Sequence, residues 1–513
     1  MFSSMTAVPT HVYRKRYWTL AVLCGALTLV GIDLTVLNVA IEDLVRELGA
    51  NESDIQWIIA VYSLTFAGFV VVMGAISDRF GRRRILVIGL VAFGVVSGVG
   101  AWSQTAGQLI AVRAITGIAA AMVMPGTLSI LASVFPPDER QHAIGIWSGI
   151  GGLGFVLGPP VGGILLTYYW WGSVLLINVG VAAILVVLTF VVVPESRDPL
   201  ARKLDLPGAA LSIVGLTALV AAFIEAPSNG WLNPVILAAF AIAAVSLAGF
   251  VLWELRAKIP MLDVRLFTRP TFSVPSLVIT FGTFVAYGIS VIAAQYLQFV
   301  EDLSILIVGF VLAPISVAWC ASALCATRLV NRFGTKLVLT AGLCLVIAGS
   351  AEFVIASSGN GTWVTIVGMT LVGLGMGIAV TPATNVLIGA LPLEKAGVGA
   401  SMNDVTREAG GAIGIAVMGS VLAAVFLSRI SSPLDSLPGD EAGQASGGVG
   451  PASQVAAQIG GAAGSEFKAA VDLAFLGGLR ASAIVGAAVI LGVLGVTLFW
   501  FPKTKLIQNV DKA

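Results

Sequence analysis

Charge is scarce in this 513-residue chain: Asp, Glu, Lys and Arg make up 11% of it, where a soluble domain carries about 25%. That deficit excludes an ordinary water-facing surface. Histidine occurs only twice, as His11 and His142, both in polar ends or loops. No HExxH, no Ser/His pairing and no nucleotide loop is present, so nothing argues for an enzyme, a cofactor or a metal site. The four cysteines (Cys24, Cys320, Cys325 and Cys344) all lie inside apolar runs. They read as small packing residues rather than disulfides or metal ligands. A net charge of +1 gives no footprint for nucleic acid. Ten-residue stretches of alternating polarity are missing too, which excludes a membrane β-barrel. No cleavable signal peptide is expected, because the first apolar run is long enough to span and lacks a cleavage region.

Apolar sequence is abundant instead, at 58%, and it comes in long runs. A bilayer core of ~30 Å needs about 20 apolar residues per helix. Fourteen such spans are predicted, at 17–41, 54–76, 84–102, 108–133, 141–166, 171–193, 207–225, 232–253, 272–297, 304–327, 337–357, 363–390, 401–428 and 478–501. If the N-terminus is cytoplasmic, 22 of the 28 basic residues fall in inside segments, as the positive-inside rule requires. The expected protein is therefore an all-α polytopic membrane protein with both ends cytoplasmic. Residues 429–477 form an outer loop rich in Gly, Ala and Ser; a flexible linker is favoured there over a recognition cap.

One loop occurs twice. Asp78-Arg79-Phe80-Gly81-Arg82 follows span 2, and Asn331-Arg332-Phe333-Gly334-Thr335 follows span 10. Each follows the second helix of a six-helix half, as duplication would give. The expected organisation is a six-helix half over 1–203, two inserted spans over 204–258, and a second six-helix half over 259–513.

The residues from Gly74 through Asp78, Arg79, Gly81 and Arg82 to Arg84 resemble the GxLaDrxGrkxxl signature of the major facilitator superfamily. Gly158-Pro159-Pro160-Val161-Gly162-Gly163 is similar to its antiporter motif. Asp33-Leu34-Thr35-Val36-Leu37-Asn38-Val39-Ala40 resembles the DxTxxNxALP motif of the fourteen-helix drug:proton antiporter branch, and 260–267 also looks like that branch. The likeness is to QacA-like exporters of quaternary ammonium compounds, and it runs over the whole chain. It implies proton-driven efflux of hydrophobic, often cationic, drugs or antiseptics. The setting implied is a bacterial plasma membrane, with protons and lipid as the other partners, no cofactor, and a working monomer. The alternative is a dedicated exporter of one endogenous antibiotic, metabolite or lipid.

Candidate site residues follow from both lines. Asp33 lies deep in span 1, where an isolated carboxylate is expensive and must face a cavity or a partner. Arg113 in span 4 is expected in the same layer. The resemblance gives Arg113-Ala114-Ile115-Thr116-Gly117 the place of an RxxQG motif with a coupling arginine, although Thr116 replaces its Gln. Asp404 and Glu408, four residues apart, share a helix face next to Arg407. Both a cavity-facing acidic pair and a self-neutralised cluster fit that pattern. Gly154, Gly158 and Gly162 make a smooth face for close helix approach, and the resemblance makes this stretch, with Pro159 and Gly163, a leak-resistant hinge. It also makes Asp78 and Arg82 a gate at the inner face. Glu225 and Glu254 are expected to be interfacial. Ala60 and Trp319 stand where QacA-like relatives carry acids, which implies a narrower handling of dications. Trp147, Phe284, Tyr287, Tyr296 and Trp319 are candidate aromatic walls, each also readable as packing.

Overall fold

A computed structural model describes residues 10–197, 205–257, 264–357, 359–390, 396–435 and 437–502. Among them the regular elements are all helical: α1 (Thr10–Val36), α2 (Ile41–Leu48), α3 (Glu52–Phe80), α4 (Arg82–Gly100), α5 (Ala106–Val134), α6 (Pro137–Tyr168), α7 (Ser173–Val192), α8 (Leu206–Asn229), α9 (Pro234–Arg256), α10 (Pro270–Gln295), α11 (Ile305–Leu312), α12 (Pro314–Phe333), α13 (Thr335–Glu352), α14 (Gly361–Gly389), α15 (Ala396–Leu434), α16 (Gly439–Ala445), α17 (Val449–Ile459) and α18 (Gly461–Trp500). Thirteen helical stretches are long and apolar enough to cross a membrane. The 32-residue α6 carries a shorter apolar stretch, Val156–Tyr168, among the described residues. Lys203, Lys258, Lys395, residues 260–263 and both proposed domain boundaries lie outside the described residues, as do the side chains of His11 and His142.

The spans are apolar on nearly every side, so their composition says little about which face packs. On α9, Val235, Leu237, Ile242, Val245 and Leu252 are all exposed. A patch of that size would be an aggregation site in water; in a bilayer it is the lipid face. Span 10 is one expected helix that the structure divides at Pro314 into α11 and α12. Proline there cannot donate to the preceding turn.

Two departures are larger. The outer loop is not a flexible linker: α16 and α17 form there, and Val449, Ala452, Val455 and Ala456 are buried. Small residues let this hairpin sit close to its neighbours. A Cβ on Gly450 would fall 2.8 Å from Val45 of α2 and 3.1 Å from Phe299. The last span also starts earlier than expected. α18 runs 40 residues from Gly461, and Lys468 near its start is held by the carbonyl of Phe299 at 2.6 Å and by Asp472 at 2.7 Å.

The duplicated loop is a duplicated structure. α3 and α12 each end in an Arg-Phe pair and turn through one glycine, Gly81 at φ 117° and Gly334 at φ 84°. Only glycine adopts such values without strain. In both turns the guanidinium stacks on the next ring, Arg79 over Phe80 at 5.5 Å and Arg332 over Phe333 at 5.2 Å.

The helices pack as two groups, α1 with α3–α7 and α10–α15 with α18; α8 lies against α3 and α15, and α9 packs on α8. The cores show how the groups meet. Toward the face with the chain ends, the first group has its own core, from Leu20 and Leu23 of α1 to Leu185 of α7. Toward the opposite face one core is continuous: Val36, Leu37, Leu44, Ile55 and Ile58 of the first group join Ile289, Ile292, Tyr296 and Leu312 of the second.

Candidate transport site

Asp33 is fully buried in α1, and both its oxygens are engaged. Oδ2 accepts from Arg113 Nη1 of α5 at 2.5 Å, and Oδ1 accepts from Asn178 Nδ2 of α7 at 2.6 Å. Arg113 also donates from Nε to the carbonyl of Ile58 at 3.3 Å, and its guanidinium lies 4.3 Å from the ring centroid of Tyr62. Its Nη2 has no partner, nor has the Tyr62 hydroxyl, although both are buried. The two charges sit in one layer because α1, α5 and α7 pack together in the first group. An ion pair this deep is held only by good geometry and extra hydrogen bonds; Asn178 and the Ile58 carbonyl supply them, and the Tyr62 ring adds a cation–π contact. Thr116 takes no part: its hydroxyl donates to Val112 O of its own helix at 2.8 Å.

A second buried centre surrounds Glu408 on α15. Ser63 of α3 donates to Oε2 at 2.8 Å. Tyr287 of α10 donates to Oε1 at 3.2 Å, and Arg407 Nε reaches Oε1 at 3.2 Å. Arg407 also meets Asp404 at 3.7 Å. The three charges therefore neutralise one another in part, and the cluster still touches the opposite group through Ser63. Tyr62 and Ser63 are neighbours on α3, so this helix presents one residue to each centre.

The glycine face of α6 lies against α1. A Cβ on Gly154 would meet Thr28 O at 2.6 Å, on Gly158 the Thr35 hydroxyl at 1.9 Å, and on Gly162 Val36 at 3.0 Å. Gly163 points the other way, to Ile305 O of α11 at 3.1 Å, and a Cβ on Gly309 would meet Pro159 O at 2.4 Å. The stretch thus packs one helix of its own group and one of the other, at the joined face.

At the face with the chain ends, Asp78 pairs with Arg82 at 2.8 Å. Glu195, after α7, accepts from the Arg83 backbone N–H at 3.2 Å and faces the Arg84 guanidinium at 3.6 Å. Arg16 pairs with Glu139 at 2.8 Å. These pairs join elements of the first group. Gly74 and Arg79 flank them on α3.

Of the aromatic candidates, Tyr287 is at the Glu408 centre. Tyr296 donates to Ser357 O at 2.8 Å and belongs to the closed face. Phe284 is buried against Gly414 of α15. Trp147 and Trp319 are half-buried. Glu225 is more than interfacial: it accepts from Ser53 at 3.0 Å and Trp57 at 2.9 Å and ties α8 to α3. Glu254 is buried near Gly208 rather than at a wet interface. Sequence reasoning missed Asn178, Tyr62 and Ser63. Asn178 had a signal, being the single amide in the apolar run of span 6.

The model of the Major Facilitator Superfamily matches residues 23–415. The chain belongs to the major facilitator superfamily. It is 32% identical over 495 residues to the multidrug efflux pump LfrA of Mycolicibacterium smegmatis, covering 96% of this chain and 97% of that one. It is 34% identical to the methyl viologen resistance protein SmvA of Salmonella typhimurium, over 86% of this chain and 89% of that one. Among solved structures, a bacterial homologue of the human lysosomal transporter Spinster superposes with a TM-score of 0.66 at 17% identity, covering 94% of this chain and 98% of that chain. The fold is thus the all-helical major facilitator fold, and the protein is a multi-pass membrane protein of the bacterial plasma membrane.

Proposed function

We propose that this member of the superfamily exports hydrophobic, often cationic, drugs or antiseptics by alternating access, in exchange for protons. The buried Asp33 carboxylate, with both oxygens satisfied, carries the reading. In this arrangement Asp33 holds its charge against Arg113. A proton on Asp33 removes the Coulomb attraction and frees Arg113 for its other neighbours, Ile58 O and the Tyr62 ring. Inward flow of that proton drives the export step. A membrane potential of 100 mV contributes about 2.3 kcal/mol per charge moved.

The two halves, 1–203 and 259–513, rock about the centre, with 204–258 inserted between them and both termini in the cytoplasm. The closed face is then extracytoplasmic, and Glu408, Asp404 and Tyr287 face the drug from the second half. Tyr287 offers an aromatic face for a cation, and Glu408 and Asp404 offer the opposing charge. Asp78 and Arg82 stabilise one access state at the inner face, and the Gly154–Gly163 stretch with Pro159 keeps the outer side tight. The protein works as a monomer.

The test is dye export from proteoliposomes under an imposed pH gradient. Wild type is expected to export in proportion to the gradient, and Asp33→Asn to lose that dependence. Unchanged gradient dependence in Asp33→Asn would refute the assignment. A panel of chemically unrelated dyes separates broad efflux from a dedicated exporter of one endogenous product.

A further inference from the structure

We infer that Glu52 is a second proton-binding site, one that latches the closed face opposite the chain ends. Its neutral carboxyl holds that face shut, and loss of the proton favours opening. The inference rests on the alternating access proposed above.

Glu52 is the first residue of α3 and is buried. Its Oε1 accepts from Gln56 Nε2 of the same helix at 3.0 Å and from Gln295 Nε2 at 3.3 Å. Gln295 closes α10, so the second bond joins the two helix groups. The hairpin of the outer loop covers the residue. The Glu52 backbone N–H donates to Gly447 O at 2.8 Å, and a Cβ on Gly448 would lie 2.9 Å from the Glu52 Cβ. Gln56 is pressed on Gly419 of α15.

Among the described residues no Lys or Arg pairs with this carboxylate; its partners are the two amides. Charged residues on the neighbouring elements have other engagements. On α2, Arg46 pairs with Asp43 and Glu47, and the backbone of Glu42 bonds Gln298. Asp54 caps its own helix with Asn51. On α8, Glu225 is held by Ser53 and Trp57. Beyond α10, Glu301 bonds the backbone of Gly359 and Asp302 occupies the following turn. On α18, Lys468 is held by Asp472 and Phe299. On α15, Asp404, Arg407 and Glu408 are about three to four turns deeper than Gly419, and Arg429 lies about three turns on the other side of it, against Gly477 of α18.

A carboxylate sealed from water with neutral donors only is costly in its charged form. The cluster is also short of donors: Gln56 Oε1 and Gln295 Oε1 are buried without one. A carboxyl proton relieves both problems. Opening this face parts α3 from α10 and lifts the hairpin, so Glu52 regains water and its charge becomes cheap. The closed state therefore binds the proton more tightly than the open one, and by linkage the proton favours closure.

The test reads the gate itself. Spin labels are placed at Gly107→Cys and Trp363→Cys, exposed first-turn sites of α5 and α14 at this face, in protein with its four native cysteines changed to Ala. Distances are measured between pH 5 and 9 without substrate or gradient. In the wild type the closed, short-distance population is expected to fall as pH rises, the ratio changing by at most about tenfold per pH unit for one proton. Glu52→Gln should stay closed throughout, and Glu52→Asp should keep the response. A wild type that ignores pH, or a Glu52→Gln protein that opens with it, overturns the proposal. If Glu52→Gln does not fold, the protonated-carboxyl infrared band decides: it should shift between wild type and Glu52→Asp, and an unshifted band overturns the proposal. A protein that latches this way but shows no gradient-driven export would refute the export reading and leave this one standing.

Discussion

Asp33 and Glu408 are both buried carboxylates beside an arginine, but they are wired differently. The partners of Asp33, Arg113 and Asn178, belong to its own helix group. Glu408 is held by Arg407 and Tyr287 of its own group and by Ser63 of the other. The rocking proposed above would leave the first set intact and break the second. In the export cycle proposed above, Asp33 takes the proton and Glu408 the conformational step. The contrast also divides the cost of mutation. Losing Asp33 strands a buried guanidinium, whereas losing the charge of Glu408 leaves Arg407 beside Asp404.

Four single substitutions and one double variant break or sharpen that comparison. Asp33→Asn is expected to have the largest effect. It should abolish gradient-driven export and lower stability by about 3–5 kcal/mol, the usual cost of breaking a buried pair from one side. Adding Arg113→Met should recover part of the stability in a thermal melt, with export still lost. If Asp33→Asn melts like wild type, the pair is not what holds this layer.

Glu408→Gln comes next. Export should fall about tenfold, equivalent to ~1.4 kcal/mol, with a smaller loss of melting temperature than Asp33→Asn. An equal loss of stability would erase the distinction between the centres. Ser63→Ala removes only this centre's bond to the other group, worth about 1.5 kcal/mol to a charged acceptor. The expected outcome is a several-fold shift in the balance of access states, read as altered labelling of an outer-face cysteine, with unchanged stability toward heat. Thr116→Val should do least. The hydroxyl serves its own helix, so export and stability are expected to stay within about 0.5 kcal/mol of wild type, measured in the same assays.

Much of the fold was legible because the solvent imposes it. Backbone groups in a bilayer must bond within their own segment, so long apolar runs have to be helices, and the runs could be counted. The glycine turns after α3 and α12 were readable as a repeat for a related reason: a positive φ at Gly81 and Gly334 restricts the residue type. The outer loop was not readable. Its Gly, Ala and Ser residues carry little hydrophobic pattern, and their value lies in fitting close against α2, the start of α3, Phe299 and α18. The start of α18 was missed because Glu466, Lys468, Asp472 and Arg480 dilute its apolar signal. Lys468 and Arg480 are tolerated there by binding carbonyls of other elements, Phe299 and Ala356.

The candidate site was legible in part. Asp33 and Arg113 stand out because charge is so costly in a span. Their contact, and the roles of Asn178, Tyr62 and Ser63, depend on how helices are rotated, and an apolar helix carries no periodic mark of its rotation.

By itself, the sequence determined that this protein is a bundle of apolar membrane helices, and its motifs carry the family. Hydrophobic length and the cost of buried charge act on each segment alone, so they leave their record in the chain. Tertiary structure alone decided which polar side chains meet: Asp33 with Asn178 inside one group, Ser63 with Glu408 across two, and Glu52 under a hairpin that no periodicity announced. Those contacts join residues of different helices, and their energies exist only once the helices are packed.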